Sequence, residues 1–292
     1  MTRTFGIDTS HWDGKINAKV AKAKGITFCY FKMTDFYASP SYPIGWIDSQ
    51  AVNTWNATRG EGILNGGFCW LQPKQDPTVQ AKFYLDAYTK FPTDMPPILD
   101  FEKQAVNSWN DFLWRAQVWL AYVEEQTNEL PWVYTNQDLM SYMDKKRSAF
   151  LYRYPLIVAS YRPLWWKPAM PQPWDKWTMW QYTDRAYGFD YGTQSKELDL
   201  DVFEGTEQEL RDLLHVGTTP PVPVDYLFQA RFKMTALAKR DKPKTGTVVG
   251  YVEAGEVVKV YEVDKVTGWY RIDGGWCSGY AGYWEVLCQS DM

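Results

Sequence analysis

Along residues 1–215, short apolar runs alternate with stretches whose apolar residues recur every three or four positions. The first pattern predicts strands at Thr4–Ile7, Ile26–Lys32, Gly66–Leu71, Pro97–Glu102, Pro131–Thr135, Leu156–Ala159, Thr178–Tyr182 and Leu198–Phe203. The second predicts helices between them. Phe112, Ala116, Trp119, Leu120 and Val123 fall on one face of a 3.6-residue period. Pro77–Thr89 has a similar face, with proline in the first turn, where its missing N–H leaves no bond unmade. Glu204–Leu214 is charge-rich and amphipathic and reads as a closing helix. Strands interleaved in this way with helices predict an α/β fold, a parallel sheet closed or nearly closed into a barrel of about eight strands.

Beyond residue 215 the pattern changes. Residues 216–225 include Pro220, Pro221 and Pro223, which favour extended backbone and predict a linker between residues 1–215 and 226–292. Val248–Val252, Val257–Tyr261 and Trp269–Ile272 are short β-branched or aromatic runs punctuated by glycines. They predict a small all-β barrel or sandwich.

Charge and composition narrow the chemistry. The net charge of −4 over 292 residues gives no electrostatic basis for binding nucleic acid or an anionic membrane surface. No window reaches the roughly 18 apolar residues of a membrane span. Asp8 interrupts the amino-terminal apolar run, so a secretory leader is not expected and the chain would need another exit route, or a leader removed from it, to act outside a cell. The two histidines, His11 and His215, and four cysteines without C-x-x-C spacing argue against a zinc site, and no cofactor is expected. A serine triad lacks its G-x-S-x-G elbow. Cys29 and Cys69 sit in strand-like apolar runs and are expected as buried thiols, while Cys277 and Cys288 could bridge, a pairing that spacing does not establish. Aromatic residues make up 17% of the chain, with 16 Trp and 20 Tyr, a share suited to packing and to stacking on sugar rings.

The sharpest motif is Pro96-Pro-Ile-Leu-Asp-Phe-Glu102. Side chains alternate along a strand, so Ile98, Asp100 and Glu102 share one face, and Leu99 and Phe101 take the other. In a barrel the acids would sit near the carboxyl end of the strand, where such folds assemble their active sites. Two neighbouring carboxyls raise the pKa of one of them, which can then serve as a general acid. Asp8 ends the first apolar run, and Asp199 and Asp201 lie on one face of Leu198–Phe203. Acids breaking three apolar strands point to a solvated groove. Clustered acids also hold magnesium or calcium, but without a phosphate-cradling glycine loop and with so many aromatics, glycoside hydrolysis fits better.

Seven segments in order, Gly6-Ile-Asp-Thr-Ser-His-Trp12, Phe31-Lys-Met-Thr-Asp35, Gly66-Gly-Phe-Cys-Trp70, Ile98-Leu-Asp-Phe-Glu102, Val158-Ala-Ser-Tyr161, Trp180-Gln-Tyr182 and Leu198-Asp-Leu-Asp-Val-Phe203, resemble the glycoside hydrolase family 25 lysozymes. The resemblance implies an irregular (β/α) barrel that cuts the β-1,4 bond between N-acetylmuramic acid and N-acetylglucosamine in bacterial peptidoglycan. It implies Glu102 as general acid, Asp100 as its partner, and Asp8 and Asp199 as the other groove acids, with Asp201 ranked behind them. Lys32, Phe68, Tyr161, Trp180 and Tyr182 are the candidate substrate contacts. The alternation in Thr178–Tyr182 predicts Trp180 and Tyr182 facing inward, and His11 is expected to be structural or hydrogen-bonded near Asp8, not the catalytic base. Trp165, Trp166 and Trp174 are expected either to stack a sugar or to pack onto the fold. Phe68-Cys69, Ile157 and Phe36 depart from the family's usual tyrosine-histidine, tryptophan and glycine, a loss of polar groups from the groove. Residues 226–292 resemble bacterial Src-homology-3-like modules that accompany wall hydrolases, through Val248-Val-Gly, Gly255–Val260 and Gly268–Ile272. The expected whole is a monomeric phage endolysin, with a binding-only barrel or a chitinase-like glycosidase as alternatives.

Overall fold

The computed structural model describes residues 2–39, 41, 44–102, 108–136, 139, 146–216, 228–264 and 266–287. Nine strands make the first sheet: β1 (Thr4–Thr9), β2 (Ile26–Phe36), β3 (Gly45–Ile47), β4 (Leu64–Trp70), β5 (Ile98–Asp100), β6 (Trp132–Asn136), β7 (Leu156–Ala159), β8 (Met179–Ala186) and β9 (Leu198–Phe203). Eight of them close into a barrel in the order β1-β9-β8-β7-β6-β5-β4-β2, with β1 pairing to β2 to complete the ring. The short β3 hangs antiparallel on the far end of β2.

The barrel is mixed, which corrects the expectation of an all-parallel sheet. Strand β9 runs antiparallel to both β8 and β1. Its cause is local. Only residues 187–197 join β8 to β9, with a single 3-10 turn at Gly188–Tyr191. A parallel return needs a crossover of a dozen or more residues, so the chain reverses as a hairpin instead.

Alternation along the strands builds two apolar layers. Phe28, Tyr30, Phe68, Ile98, Trp132, Tyr134, Ile157 and Met179 fill the barrel interior. Phe31, Met33, Cys69, Leu99, Phe101, Val158, Trp180 and Val202 face outward beneath the helices. Gly6 is required where β1 crosses Phe28, because a Cβ there would meet that ring at 2.1 Å.

The helices are α1 (Ala18–Ala23), α2 (Ala51–Gly60), α3 (Pro77–Lys90), α4 (Trp109–Thr127) and α5 (Glu207–Val216). Asp76 caps α3 by accepting from the N–H groups of Thr78 and Val79, with Pro77 at the first position. Ser108 caps α4 at its start, and Asn128 ends it in the left-handed conformation. Phe112, Ala116, Trp119, Leu120 and Val123 of α4 all pack into the outer layer, as their period predicts. Helix α5 buries Leu210 and Leu214 in the cluster that holds Leu64, Met95 and Trp132, stopping the amino-terminal floor of the barrel.

Residues 228–287 form two further sheets. One contains β10 (Phe228–Phe232), β13 (Val257–Val260) and β17 (Trp284–Leu287). The other contains β11 (Ala236–Arg240), β12 (Val248–Glu253), β14 (Glu262–Val263), β15 (Tyr270–Ile272) and β16 (Gly275–Cys277). Their shared core of Phe232, Val252, Val260, Ile272 and Trp284 also takes in Val118 and Trp114 of α4, so this all-β unit seats on the barrel's outer helix. The linker expected at 216–225 begins with the end of α5, and its residues 217–225 lie outside the described residues, as does Cys288. Cys29, Cys69 and Cys277 are buried thiols.

Candidate active site

Parallel strands bring their carboxyl ends to one mouth, and a groove of about 370 Å³ opens there. Asp8 from β1, Asp100 and Glu102 from β5 and just beyond it, and Asp199 from β9 all line it, together with Lys32 and Phe68. Asp199 stands directly across from Asp8 in the β1–β9 register. Asp201 lies one step deeper, opposite Gly6 and beside Gln181, fully buried. Tyr30 donates its hydroxyl hydrogen to one Asp201 oxygen, and the other has no partner among the described residues.

Each acid has a distinct environment. Glu102 accepts a 2.7 Å bond from the Asn136 amide on β6 and lines the groove beside Asp100. Asp100 is buried, and burial raises its pKa well above the usual carboxylate value, with the charge of Glu102 adding to the rise and Lys32 opposing it. Asp8 is raised chiefly by burial, then by Asp199 and Asp201. Asp199 is pushed from 3.8 up to about 7 by burial first, then by Asp13, Asp184 and Glu102. Asp201 is likewise raised by burial, against the opposing hydrogen bond from Tyr30. Lys32 is buried, pairs with Asp35 at 3.1 Å and lies 4.5 Å from the centre of the Trp70 ring.

Two residues expected to face inward do not. Met179 and Gln181 occupy the interior face of β8, so Trp180 and Tyr182 turn outward. Trp180 is fully buried under the outer layer and donates its indole N–H to the Ser160 carbonyl at 2.7 Å. Tyr182 packs edge-on to Phe5 and Trp180 and borders a separate cleft. The two aromatics fit the sheet–helix interface better than they fit a wet groove, and they set the phase of the strand.

Gln181 is the residue that sequence reasoning passed over. Its amide donates to Asp8 at 2.5 Å, and its carbonyl oxygen accepts the hydroxyls of Tyr134 (3.0 Å) and Tyr161 (3.1 Å). An amide between two aromatics in Trp180-Gln-Tyr182 was the available signal, since a buried amide needs polar partners. Tyr161 thus reaches the acid cluster through Gln181 rather than lining the groove directly. Asn136, Tyr30, Trp70 and Trp12 were also missed. Trp12 lines the groove while 80% exposed. His11 stands beside it, fixed by a 2.7 Å contact to Asp48.

The departures noted in the sequence have unequal weight. Phe68 does line the groove, but Cys69 points into the outer core, and Ile157 is buried in the barrel interior. Phe36 packs against Phe83. Among the described residues, no three His, Cys, Asp or Glu side chains converge as they would on a metal ion. Nor is any described helix long and apolar enough to cross a membrane.

A groove of this kind can hold protons on carboxyls near neutral pH and keep negative charge close to an incoming ring. The profile of Glycosyl hydrolases family 25 matches residues 7–189. The chain belongs to that family. It is therefore a glycoside hydrolase by descent, and Asp8, Asp100 and Glu102 fall within the matched residues while Asp199 and Asp201 fall after them. The Escherichia coli strain K12 protein YegX, which is uncharacterized, is 26% identical over 211 residues, covering 70% of this chain and 71% of its own. Lysozyme M1 of Streptomyces globisporus is 25% identical over 215 residues, covering 70% and 69%. A family 25 glycosyl hydrolase structure from Bacillus anthracis superposes with a TM-score of 0.59 at 20% identity, over 71% of this chain and 92% of that one, a likeness of fold.

Proposed function

We propose that the protein is a lysozyme that cleaves the β-1,4 bond between N-acetylmuramic acid and N-acetylglucosamine in bacterial peptidoglycan. One observation carries the reading: Asp100 and Glu102 stand together at the barrel mouth, with Asp8 and Asp199 side by side on β1 and β9 in the same groove. The similarity to Lysozyme M1 supports the choice of substrate.

In this reading the Asp100–Glu102 pair enters the reaction holding a proton. Glu102, the member open to the groove, delivers it to the glycosidic oxygen as the bond from the anomeric carbon breaks. The carboxylates left behind flank the positive charge that develops on the sugar ring, a stabilisation that is strong where water is excluded. Water then adds its oxygen to the anomeric carbon and yields its proton to a groove carboxylate. Asn136 holds Glu102 in place, Gln181 does the same for Asp8, and the charge of Lys32 favours the ionised form of Asp100. Phe68 walls the groove, and Asp201 supports it from below.

We assign residues 226–292, whose described part is all-β, as an Src-homology-3-like module that holds the monomeric enzyme on the wall. The biological role that suits this pairing is a phage endolysin, released to the wall at lysis. Reducing ends released from purified peptidoglycan test the activity. Wild-type protein should release them, and Glu102→Gln should lower the rate by at least two orders of magnitude while leaving thermal stability unchanged. A variant as active as wild type would remove Glu102 from the acid's role.

A further inference from the structure

A second cleft of about 600 Å³ opens at the same mouth as the acid groove, between the segment after β7 and the outer half of β8. Tyr161, Arg162, Trp165, Tyr182, Asp184 and Arg185 line it. Backbone bonds from Ser160 to Gln181 and from Arg162 to Tyr182 extend the β7–β8 pairing past the barrel rim, so the cleft stands on continuous sheet. Its wall is linked to the groove through Tyr161, whose hydroxyl donates to the Gln181 oxygen while the same amide holds Asp8.

The tryptophans of this loop divide. Trp174 is buried and donates to the Tyr154 carbonyl, so it packs onto the fold. Trp165 is 83% exposed and Trp166 58% exposed, beside Arg162, which lies 5.9 Å from the Trp166 ring. Arg185 is 83% exposed at its side chain, and its ion pair is with the adjacent Asp184 at 3.6 Å. At that exposure the pair is worth little, and the guanidinium can exchange partners.

Charge separates the two cavities. The groove gathers Asp8, Asp13, Asp35, Asp100, Glu102 and Asp199 against the single cation Lys32. The neighbouring cleft presents two guanidinium groups on aromatic surface, with one carboxylate. Peptidoglycan makes the same division, since its sugar backbone is uncharged where the bond breaks, and the peptide stem on the muramic acid carries carboxylates. A stem in the acid groove would be repelled, whereas on the Arg162–Arg185 side it meets donors suited to carboxylates.

We propose that this cleft is the seat of the peptide stem: Arg162 and Arg185 receive its carboxylates and Trp165 receives its apolar portion, while the sugar lies in the acid groove. The proposal rests on the peptidoglycan reading above and names which part of that substrate the second cleft reads.

The test compares two substrates, peptidoglycan bearing its stems and the same glycan stripped of them by an amidase. Wild-type protein, the double variant Arg162→Gln/Arg185→Gln and Trp165→Ala are each assayed for kcat/KM on both. We expect each variant to lose roughly tenfold on the stem-bearing glycan, about 1.4 kcal/mol, and less than about twofold on the stripped glycan. All three positions are at the surface, so circular dichroism should show unchanged folding. Equal losses on both substrates would overturn the proposal, because the cleft would then read sugar; no loss on either would overturn it too. Wild-type protein that cuts neither substrate would sink the lysozyme reading itself, a result distinct from wild-type cleavage with unselective variants.

Discussion

Asp199→Asn should stabilise the fold, and only above mildly acidic pH. In the folded protein Asp199 has its pKa raised from 3.8 to about 7 by burial and by Asp13, Asp184 and Glu102. Folding therefore favours its protonated form. The sign follows directly: below about pH 4 the carboxyl is protonated in both states, and its contribution is complete. As pH rises toward 7 the unfolded chain releases the proton and the folded one keeps it, so stability falls. Above 7 the folded protein carries a buried charge that the unfolded chain would rather hold in water. At 1.36 kcal/mol for each tenfold, a rise from 3.8 to about 7 amounts to roughly 4 kcal/mol. Asparagine matches the shape without ionising. Because Asp8 also feels the Asp199 charge, its relaxation shares the effect, and we expect about 2–4 kcal/mol at pH 8.5. For a unit of this size that is a rise of roughly 5–15 °C in Tm. Calorimetry at pH 3.5 and pH 8.5 decides the matter. The gain should be near zero at the lower pH, emerge between about 4 and 7, and level off above. A gain of equal size at both pH values, or a loss at pH 8.5, would refute the electrostatic reasoning. The same substitution should impair cleavage, since it removes one of the groove acids.

Other outcomes are more quickly stated. Gln181→Leu leaves Asp8 and the hydroxyls of Tyr134 and Tyr161 without their shared partner, so it should lower stability by about 1–3 kcal/mol and reduce kcat more than it raises KM; denaturant melts and steady-state kinetics read both. Trp12→Ala, at an 80% exposed position on the groove, should leave stability within about 0.5 kcal/mol and raise KM several-fold, the loss of a stacking face. An unchanged KM would remove Trp12 from substrate contact. Trp180→Ala should cost about 3–5 kcal/mol in chemical denaturation, because the ring is fully buried in the outer core. Val118→Asp buries a charge between α4 and the all-β unit, and calorimetry should show a separate, lower transition for that unit.

The eight barrel strands were legible because each is a short apolar run between turn or helix signals, and Leu156–Ala159 and Leu198–Phe203 have the bounds that the pattern predicts. The α4 face was legible for the same reason. Less visible was anything decided by pairing rather than by local pattern. Strand β3 has only three residues, too short for alternation to register. The phase of β8 was ambiguous because Trp180 and Tyr182 suit either a groove or a packed interface. Only the neighbours resolve it, with Asp8, Tyr134 and Tyr161 all needing the amide of Gln181. In the site, the acids were legible as polar residues interrupting apolar strands. Their partners Asn136, Tyr30 and Gln181 were not, since amides and phenols sit unremarkably in many strands and only the ring closure brings them to the carboxyls.

The reversal of β9 is what makes the cluster possible. The acids Asp199 and Asp201 stand second and fourth in that strand, near its start. In a parallel strand the start lies at the barrel floor, and Asp199 would sit far from Asp8 among Leu64, Met95 and Trp132, where nothing offsets a buried carboxyl. Run antiparallel, the start lies at the mouth, and the register sets Asp199 against Asp8. Asp201 then falls one step inward, within reach of the Tyr30 hydroxyl. The short connection after β8, which forbids a parallel return, thus also brings to the mouth an acid whose pKa is raised to about 7. Lengthening that connection would be tolerated only if the hairpin pairing of β8 with β9 were kept, because the pairing, not the loop, holds Asp199 at the mouth.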